Sequence, residues 1–345
     1  MSGDCCCANN GCCCSGDAIP VVSTTLIPID ILGNLKVRFG IGRDNYKIDP
    51  GIYAVGKPDN TSPVLVSANY RLTFNTLRKN LSGMNCWLLI LNTRGINVWC
   101  AAGKGTFGTD ELVQRIESAE LSKHVSHKRL VLPQLGATGI SAHEVKKQSG
   151  YEVKYGPVRA SDIKEYIAAG YTATKEMRTV RFDLWDRLVL TPMELIPALK
   201  YTLPVSGVML LANKFAVIPF DKADMLSSAG AVLAGSVLTP ALLPYIPGKA
   251  FALKGWLMGL GCTAGILGLS GKLKKGSGLL SAGSLLLFPA ISSFLAMNFT
   301  GASTYTSPSG VKKEMEKALP WIAGAAAIGA ALTFGVHLIG RRKAK

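Results

Sequence analysis

Long stretches beyond Asp224 carry no charge, and this constrains the fold more than any motif does. Met225 to Ile246, Leu279 to Phe299 and Ala318 to Gly340 contain no Asp, Glu, Lys or Arg. Gly255 to Gly271 is also uncharged, and it lengthens if Lys254 snorkels toward water. A helix of about 20 apolar residues crosses a bilayer, so each tract is a candidate span. Small residues crowd Ala323 to Ala331, as close helix packing in lipid requires. Leu203 to Phe220 is a weaker candidate, because Asn213 and Lys214 interrupt it, and the count is four or five. Four crossings put Lys272, Lys274, Lys275 and the tail Arg341-Arg342-Lys343 on the cytoplasmic side, as the positive-inside rule prefers; five put them outside.

The preceding half alternates short strands with helices. Lys36 to Ile41 reads as a strand, as do Ile52 to Val55 and Val64 to Ser67, with a helix over Leu72 to Leu81. A second unit runs from the strand Trp87 to Leu91, through a turn at Asn92 to Gly95, into a loop of small residues. A helix from Asp110 to Leu121 follows, with Thr109 as its N-cap. Leu130 to Leu132 leads into Pro133 to Gly139 and a helix over Ala142 to Gln148, boxed by Ser141 and Glu144 and stopped by Gly150. Glu152 to Tyr155 leads into Gly156 to Ala160 and a helix over Asp162 to Ala169, capped by Ser161. This pattern predicts a Rossmann-like α/β domain with a mostly parallel sheet and ligand loops at its strand ends. Three of those loops are rich in Gly, Ala and Thr, which lets backbone approach a large flat ligand. Thr179 to Leu190 alternates and reads as a strand or ribbon. The expected domains are a Cys-rich tail at 1–18, the α/β domain at 19–178, a connector at the membrane surface at 179–200, an all-α transmembrane bundle at 201–340 and a basic tail at 341–345.

The net charge of +16 raises the question of nucleic acid. No aromatic-interleaved basic patch or zinc-finger spacing accompanies it, and much of the excess lies beside apolar segments. A bilayer surface with anionic lipid fits better. Of the 9 cysteines, Cys5, Cys6, Cys7, Cys12, Cys13 and Cys14 crowd the N-terminus. Adjacent triplets and an odd total do not make a disulfide framework, and a reducing cytoplasm is expected. The triplets miss the spacings of zinc and iron–sulfur sites, yet clustered thiolates suit a soft ion such as Hg(II).

The densest chemistry lies at Asn97-Val98-Trp99-Cys100-Ala101-Ala102-Gly103-Lys104. A phosphate loop is excluded, because Val98 stands where its first Gly belongs and Gly105 where its Ser or Thr belongs. Gly103, Gly105 and Gly108 satisfy a dinucleotide fingerprint, but no acidic residue is placed to hold a ribose. A cysteine hydrolase needs a histidine, and no local signature singles one out from His124, His127 and His143. A buried structural cysteine remains an ordinary alternative.

The whole string resembles the signature of the HgcA family, the membrane-bound corrinoid proteins of microbial mercury methylation. Pro133 to Ala137, His143-Glu144-Val145 and Gly156 to Ala160 resemble the corrinoid domain shared with the large subunit of the corrinoid iron–sulfur protein. The resemblance covers about Tyr46 to the C-terminus, does not include the cysteine tail, and favours five crossings with the α/β domain in the cytoplasm. It implies a base-off, cobalamin-type corrinoid whose cobalt takes the Cys100 thiolate as lower axial ligand, and a methyl group passed to Hg(II) to form methylmercury. A soft thiolate opposite the methyl group would push electron density toward it, as transfer to an electrophile requires. It further implies that Asn97, Val98, Trp99, Ala101, Ala102, Gly103 and Lys104 surround the ring. Thr106, Gly108, Thr109, Gly136, Ala137, Gly156 and Pro157 would meet its periphery or tail. The implied partners are HgcB, a ferredoxin-like protein with two [4Fe–4S] clusters, and a methyl donor derived from methyltetrahydrofolate. Two alternatives stay open: a membrane-tethered corrinoid methyl carrier of one-carbon metabolism, and a soft-metal transporter or sensor.

Overall fold

A computed structural model describes residues 19–215, 220–273 and 278–343. The six N-terminal cysteines lie outside them, as do Lys274 and Lys275. The described residues form two compact units, one ending at Val180, the other from Arg181 onward, with Arg38–Ile41 grouped with the second.

The first unit is built on six strands: β1 (Val21–Val22), β2 (Gly51–Val55), β3 (Val64–Ala68), β4 (Cys86–Leu91), β5 (Arg129–Leu132) and β6 (Glu152–Tyr155). Their spatial order is β1-β2-β4-β3-β5-β6. From β4 to β6 all neighbours are parallel, while β2 runs antiparallel to β4. Every residue of β4 is buried because both sheet faces are covered, which is why it reads as one apolar run. Leu89 and Leu91 enter one core with Leu112 and Ile116; Leu88 and Ile90 enter the other with Phe74, Leu77 and Tyr166. The chain leaves β3 toward β4 and leaves β5 toward β6, so the strand order reverses between β3 and β5. Ladder pairing there covers only Val64↔Leu130 and Leu65↔Val131, whereas β3 and β4 pair along five positions. The reversal marks the carboxyl ends of β3 and β5, the place where open α/β sheets bind ligands.

The helices of this unit are α1 (Pro28–Arg38), α2 (Arg71–Asn80), α3 (Val98–Gly103), α4 (Thr109–Ser118), α5 (Ala142–Ser149) and α6 (Ile163–Ala168). Three expectations are corrected here. The alternating Lys36 to Ile41 is not a strand but the end of α1 and the turn after it. Within that stretch Val37 is buried, while the earlier turns of α1 face a polar side inward. Asp30 is buried against Arg78 at 2.5 Å and Arg71 at 3.3 Å, and Asn34 accepts hydrogen bonds from Tyr46 and Asn75. Ile29, Ile31, Leu32 and Leu35 are consequently turned outward. The small-residue segment after Trp99 is not a loop but the body of α3. Thr109 is not an N-cap but the first residue of α4, with Gly108 ahead of it.

The segment Thr179 to Leu190 is not a strand: it contains α7 (Leu184–Leu188), capped by the Asp183 side chain, at the start of the second unit. Next come α8 (Pro192–Lys214), α9 (Lys222–Leu233), a π turn at Ala234–Leu238 and α10 (Thr239–Ala241). Then α11 (Phe251–Leu269), α12 (Gly278–Asn298) and α13 (Pro308–Lys343) complete the unit. Four helical stretches, Leu184–Lys214, Phe251–Leu269, Gly278–Ala302 and Ser309–Gly335, are long and apolar enough to cross a membrane. The ranking of two candidates is reversed. The Leu203 region belongs to an uninterrupted 23-residue helix despite Pro197 and Pro204. Met225 to Ile246 instead breaks into α9, the π turn and α10. Close packing rests on small residues: a Cβ on Gly255 would collide with that of Ala296, and one on Gly329 would lie 2.7 Å from the Leu287 nitrogen.

Candidate functional site

Helix α3 follows β4 and packs against β3 and the 3-10 turn Gln134–Gly136 that follows β5, so it lies across the point where the strand order reverses. A six-residue helix is too short to be stable alone, and its order comes from its ends and its buried face. Asn97 has extended backbone, and its side-chain oxygen accepts the Cys100 N–H at 2.9 Å. At the other end the Ala101 carbonyl accepts from Lys104, Thr106 and Phe107. Gly105, at φ +79°, makes the left-handed exit that a side chain would strain.

The segment leading into α3 is held by a residue the sequence reading missed. Asn69, directly after β3 and 2 % exposed, accepts from the Thr93 N–H at 3.1 Å and the Gly95 N–H at 2.9 Å through one oxygen. The Thr93 hydroxyl lies 2.9 Å from that same oxygen, and the Asn69 amide donates to the Ile48 carbonyl. One signal was available: an Asn at the carboxyl end of an otherwise apolar strand, where a side chain can tie down the next loop.

The residues implied by the motif divide by face. Val98, Ala101 and Ala102 are buried against the domain. Trp99 is 43 % exposed, Cys100 is half-buried, and Gly103 and Lys104 are exposed. A Cβ added to Gly103 or Gly105 would meet nothing within 4 Å, so the outer side of α3 is open beside the Cys100 thiol. Gly108 is closed: a Cβ there would lie 2.8 Å from the Gly105 carbonyl oxygen. Thr106 is half-buried and turned toward the Ala101 carbonyl. Thr109 accepts the Ser141 N–H at 2.9 Å, joining the starts of α4 and α5.

The loops after β5 and β6 lie at the same edge. Gly136 is buried, and a Cβ on it would meet the Phe107 ring at 2.5 Å; one on Gly139 would meet the Phe107 carbonyl oxygen and the Ala102 Cα at 2.9 Å or less. The smallness of Gly136 thus serves Phe107. Ala137, half-buried, ends the 3-10 turn. Gly156 and Pro157 are buried: Gly156 donates to Leu132 at 2.7 Å, and the Pro157 carbonyl accepts from Gln134 at 3.5 Å. The parts of the motif are therefore brought to one edge of the sheet, Cys100 outward and the small residues locking the loops beneath it.

Among the remaining described cysteines, Cys86 is buried in β4, and burial pushes its thiol up to about 12. A deprotonated sulfur is a strong donor to a soft metal, so Cys100 is the cysteine of this domain placed to act as one.

Residues 18–167 match the family model described as CO dehydrogenase/acetyl-CoA synthase delta subunit. The match holds the sheet and α3, begins earlier than the Tyr46 expected from the motif, and stops before the apolar helices. Proteins named acetyl-CoA decarbonylase/synthase complex subunit gamma are similar to part of the chain. That of Methanopyrus kandleri is 31 % identical over 127 residues, 36 % of this chain and 27 % of its own length. That of Archaeoglobus fulgidus is 30 % identical over 142 residues, 40 % and 30 % of the two chains. Subunit gamma 2 of Methanosarcina thermophila is 36 % identical over 115 residues, 32 % and 24 %. The chain thus spans about a quarter to a third of the length of these relatives.

Proposed function

We propose that this chain is a membrane-tethered corrinoid protein of methyl transfer, with Cys100 as the residue that would hold the cobalt. The observation that carries the reading is the placement of Cys100 on the open side of α3, at the carboxyl ends of β3 and β5. The match of residues 18–167 to the CO dehydrogenase/acetyl-CoA synthase family model, and the likeness of part of the chain to acetyl-CoA decarbonylase/synthase subunits gamma, support methyl-carrier chemistry. The donor set fits: one soft sulfur, open space over Gly103 and Gly105, and an exposed Trp99 flank. A corrinoid, when bound, supplies a cobalt centre that takes up and releases a methyl group.

The chain's own residues then have definite work. Asn97 fixes the first turn of α3 and with it the position of Cys100. Asn69 holds the approach to that turn. Phe107 fills the space that Gly136 and Gly139 leave and shares a core with Ala101 and Ala102 of α3.

A finer reading names Hg(II) as the methyl acceptor. It is favoured by the sulfur itself, because a strong, soft donor suits passing the methyl group with its electrons to an electrophile. A ferredoxin-like partner with [4Fe–4S] clusters would restore the reduced metal, and a methyltetrahydrofolate derivative would supply the methyl group. The alternative is that the methyl group goes into acetyl-CoA synthesis, the chemistry that the names of the relatives state.

Anaerobic reconstitution with a cobalamin tests the coarser reading. The wild type should retain the cofactor with a visible spectrum that changes in Cys100→Ala; identical spectra in the two proteins would refute cobalt ligation by this sulfur. Coexpression with a ferredoxin-like partner and measurement of methylmercury tests the finer one. Retained cofactor without methylmercury from the wild type would leave the methyl-carrier reading and remove Hg(II) as acceptor.

A further inference from the structure

A cavity of about 1040 Å³ lies between α11, α12 and α13. Its lining changes character along its length. Lys249, just before α11, and Lys313 and Lys317, one turn apart on α13, line one part. Leu253, Trp256, Leu286 and Ala325 line another, with Trp321 between them on the same face of α13 as the two lysines. Residues 313, 317, 321 and 325 follow each other at i, i+4 spacing, so one stripe of α13 passes from cationic to aromatic to small.

This order matches the depth profile of a bilayer. The uncharged part of α13 begins at Ala318, directly after Lys317. Lysines at that level reach the headgroups, Trp sits at the interface, and the residues beyond meet hydrocarbon. Trp321 is 82 % exposed and Leu253 47 % exposed, so the cavity opens sideways toward lipid.

Charge decides the occupant. One carboxylate, that of Glu314, shares the lining with the three lysines, and it already accepts the Ala252 N–H at 2.8 Å in the first turn of α11. Among the described residues Lys312 pairs with Glu316, while no ion pair engages Lys249, Lys313 or Lys317. Three cations over an apolar groove call for a ligand with an anionic head and a long apolar tail. We infer that this groove is a binding site for one anionic phospholipid, its phosphate held by Lys249, Lys313 and Lys317 and an acyl chain laid along Trp256, Leu286 and Ala325. The site is separate from Cys100 and rests only on the bundle lying in a bilayer.

The full chain in nanodiscs of mixed phosphatidylglycerol and phosphatidylcholine with identical tails tests it by native mass spectrometry. Phosphatidylglycerol should stay bound after mild release from the disc. Each Lys→Gln change should weaken its retention about fivefold, and the triple change K249Q/K313Q/K317Q roughly a hundredfold. K249R/K313R/K317R should restore retention, which separates lost charge from lost folding. Lys214→Gln, a change to an exposed lysine at the end of α8, should leave it intact. Ala325→Trp, filling the tail groove with every lysine present, should also weaken it. Equal retention of the two lipids, or a triple variant that keeps phosphatidylglycerol, would overturn the site. Displacement by millimolar inorganic phosphate alone would overturn the lipid as occupant in favour of a bare anion. A full chain washed from membranes by high salt without detergent would instead refute the bilayer reading beneath it.

Discussion

Replacing Asn97 by Ala removes the one side-chain bond that starts α3. The lost contact is Asn97 Oδ1 to the Cys100 N–H at 2.9 Å. An N-cap change of this kind costs about 1 kcal/mol, which is about a fivefold increase in an opening equilibrium. The helix has only six residues, so one cap is a large part of what holds its first turn. The effect should be mostly local, because Leu89 and Leu91 share their core with Leu112 and Ile116 as well as with α3. Hydrogen exchange followed by mass spectrometry on the full chain measures this directly. Amides from Cys100 to Lys104 should exchange about fivefold faster in Asn97→Ala, while those of β3 and β4 stay at the wild-type rate. Asn97→Asp, which retains a capping oxygen, should stay near wild type. Unchanged exchange over α3 would refute the capping argument, and equal acceleration in β4 would refute its local character.

The glycines beneath and on α3 should behave oppositely. Gly139→Ala forces a Cβ to 2.9 Å from the Ala102 Cα, and such overpacking costs about 1–3 kcal/mol, read as a lower unfolding midpoint. Gly103→Ala meets nothing within 4 Å and should stabilise α3 by up to about 1 kcal/mol, while weakening corrinoid uptake if the ring lies over that position. Burial pushes the Asp30 carboxyl up, but the Arg78 hydrogen bond and charge outweigh it, and the group is held below its ordinary value of 3.8. A depressed carboxylate adds stability above the unfolded value and loses it as pH falls through the folded one. Asp30→Asn should therefore flatten the loss of stability below about pH 4, measured by denaturant titration at stepped pH. Alkylation at pH 8 with peptide mapping should label half-buried Cys100 and spare Cys86, whose thiol lies at about 12, until denaturant is added.

The βα order and the edge where the ligand loops gather were legible because apolar runs and turn residues report burial and breaks locally. Helix α3 was not: Ala101, Ala102 and Gly103 look like a loop when read singly, and the cap that makes them helical joins Asn97 to a backbone N–H. Helix α1 was misread for a different reason. Its inward positions, Asp30 and Asn34, are polar because their partners Arg78 and Asn75 lie more than 40 residues away. A periodicity reading assumes that apolar faces turn inward, and it fails wherever an ion pair takes that place. Helix α8 was undervalued since Asn213 and Lys214 fall at its end, where polar groups cost a span little. Asn69 was passed over for a related reason: its importance lies in two backbone N–H groups and a hydroxyl in the loop after β4, the strand beside its own.

Helix α1 also bears on how the protein can be handled. With its polar side committed to Arg78, it offers Ile29, Leu32 and Leu35 to the surroundings, each at least half exposed. A fragment ending near Val180 would keep the Cys100 site but carry this oily flank into bulk water, where patches of this kind seek one another. Its behaviour on a sizing column would report α1 as much as anything at the cysteine. Trimming that flank to serines, with Asp30 and Asn34 untouched, is the rational route to a well-behaved soluble form.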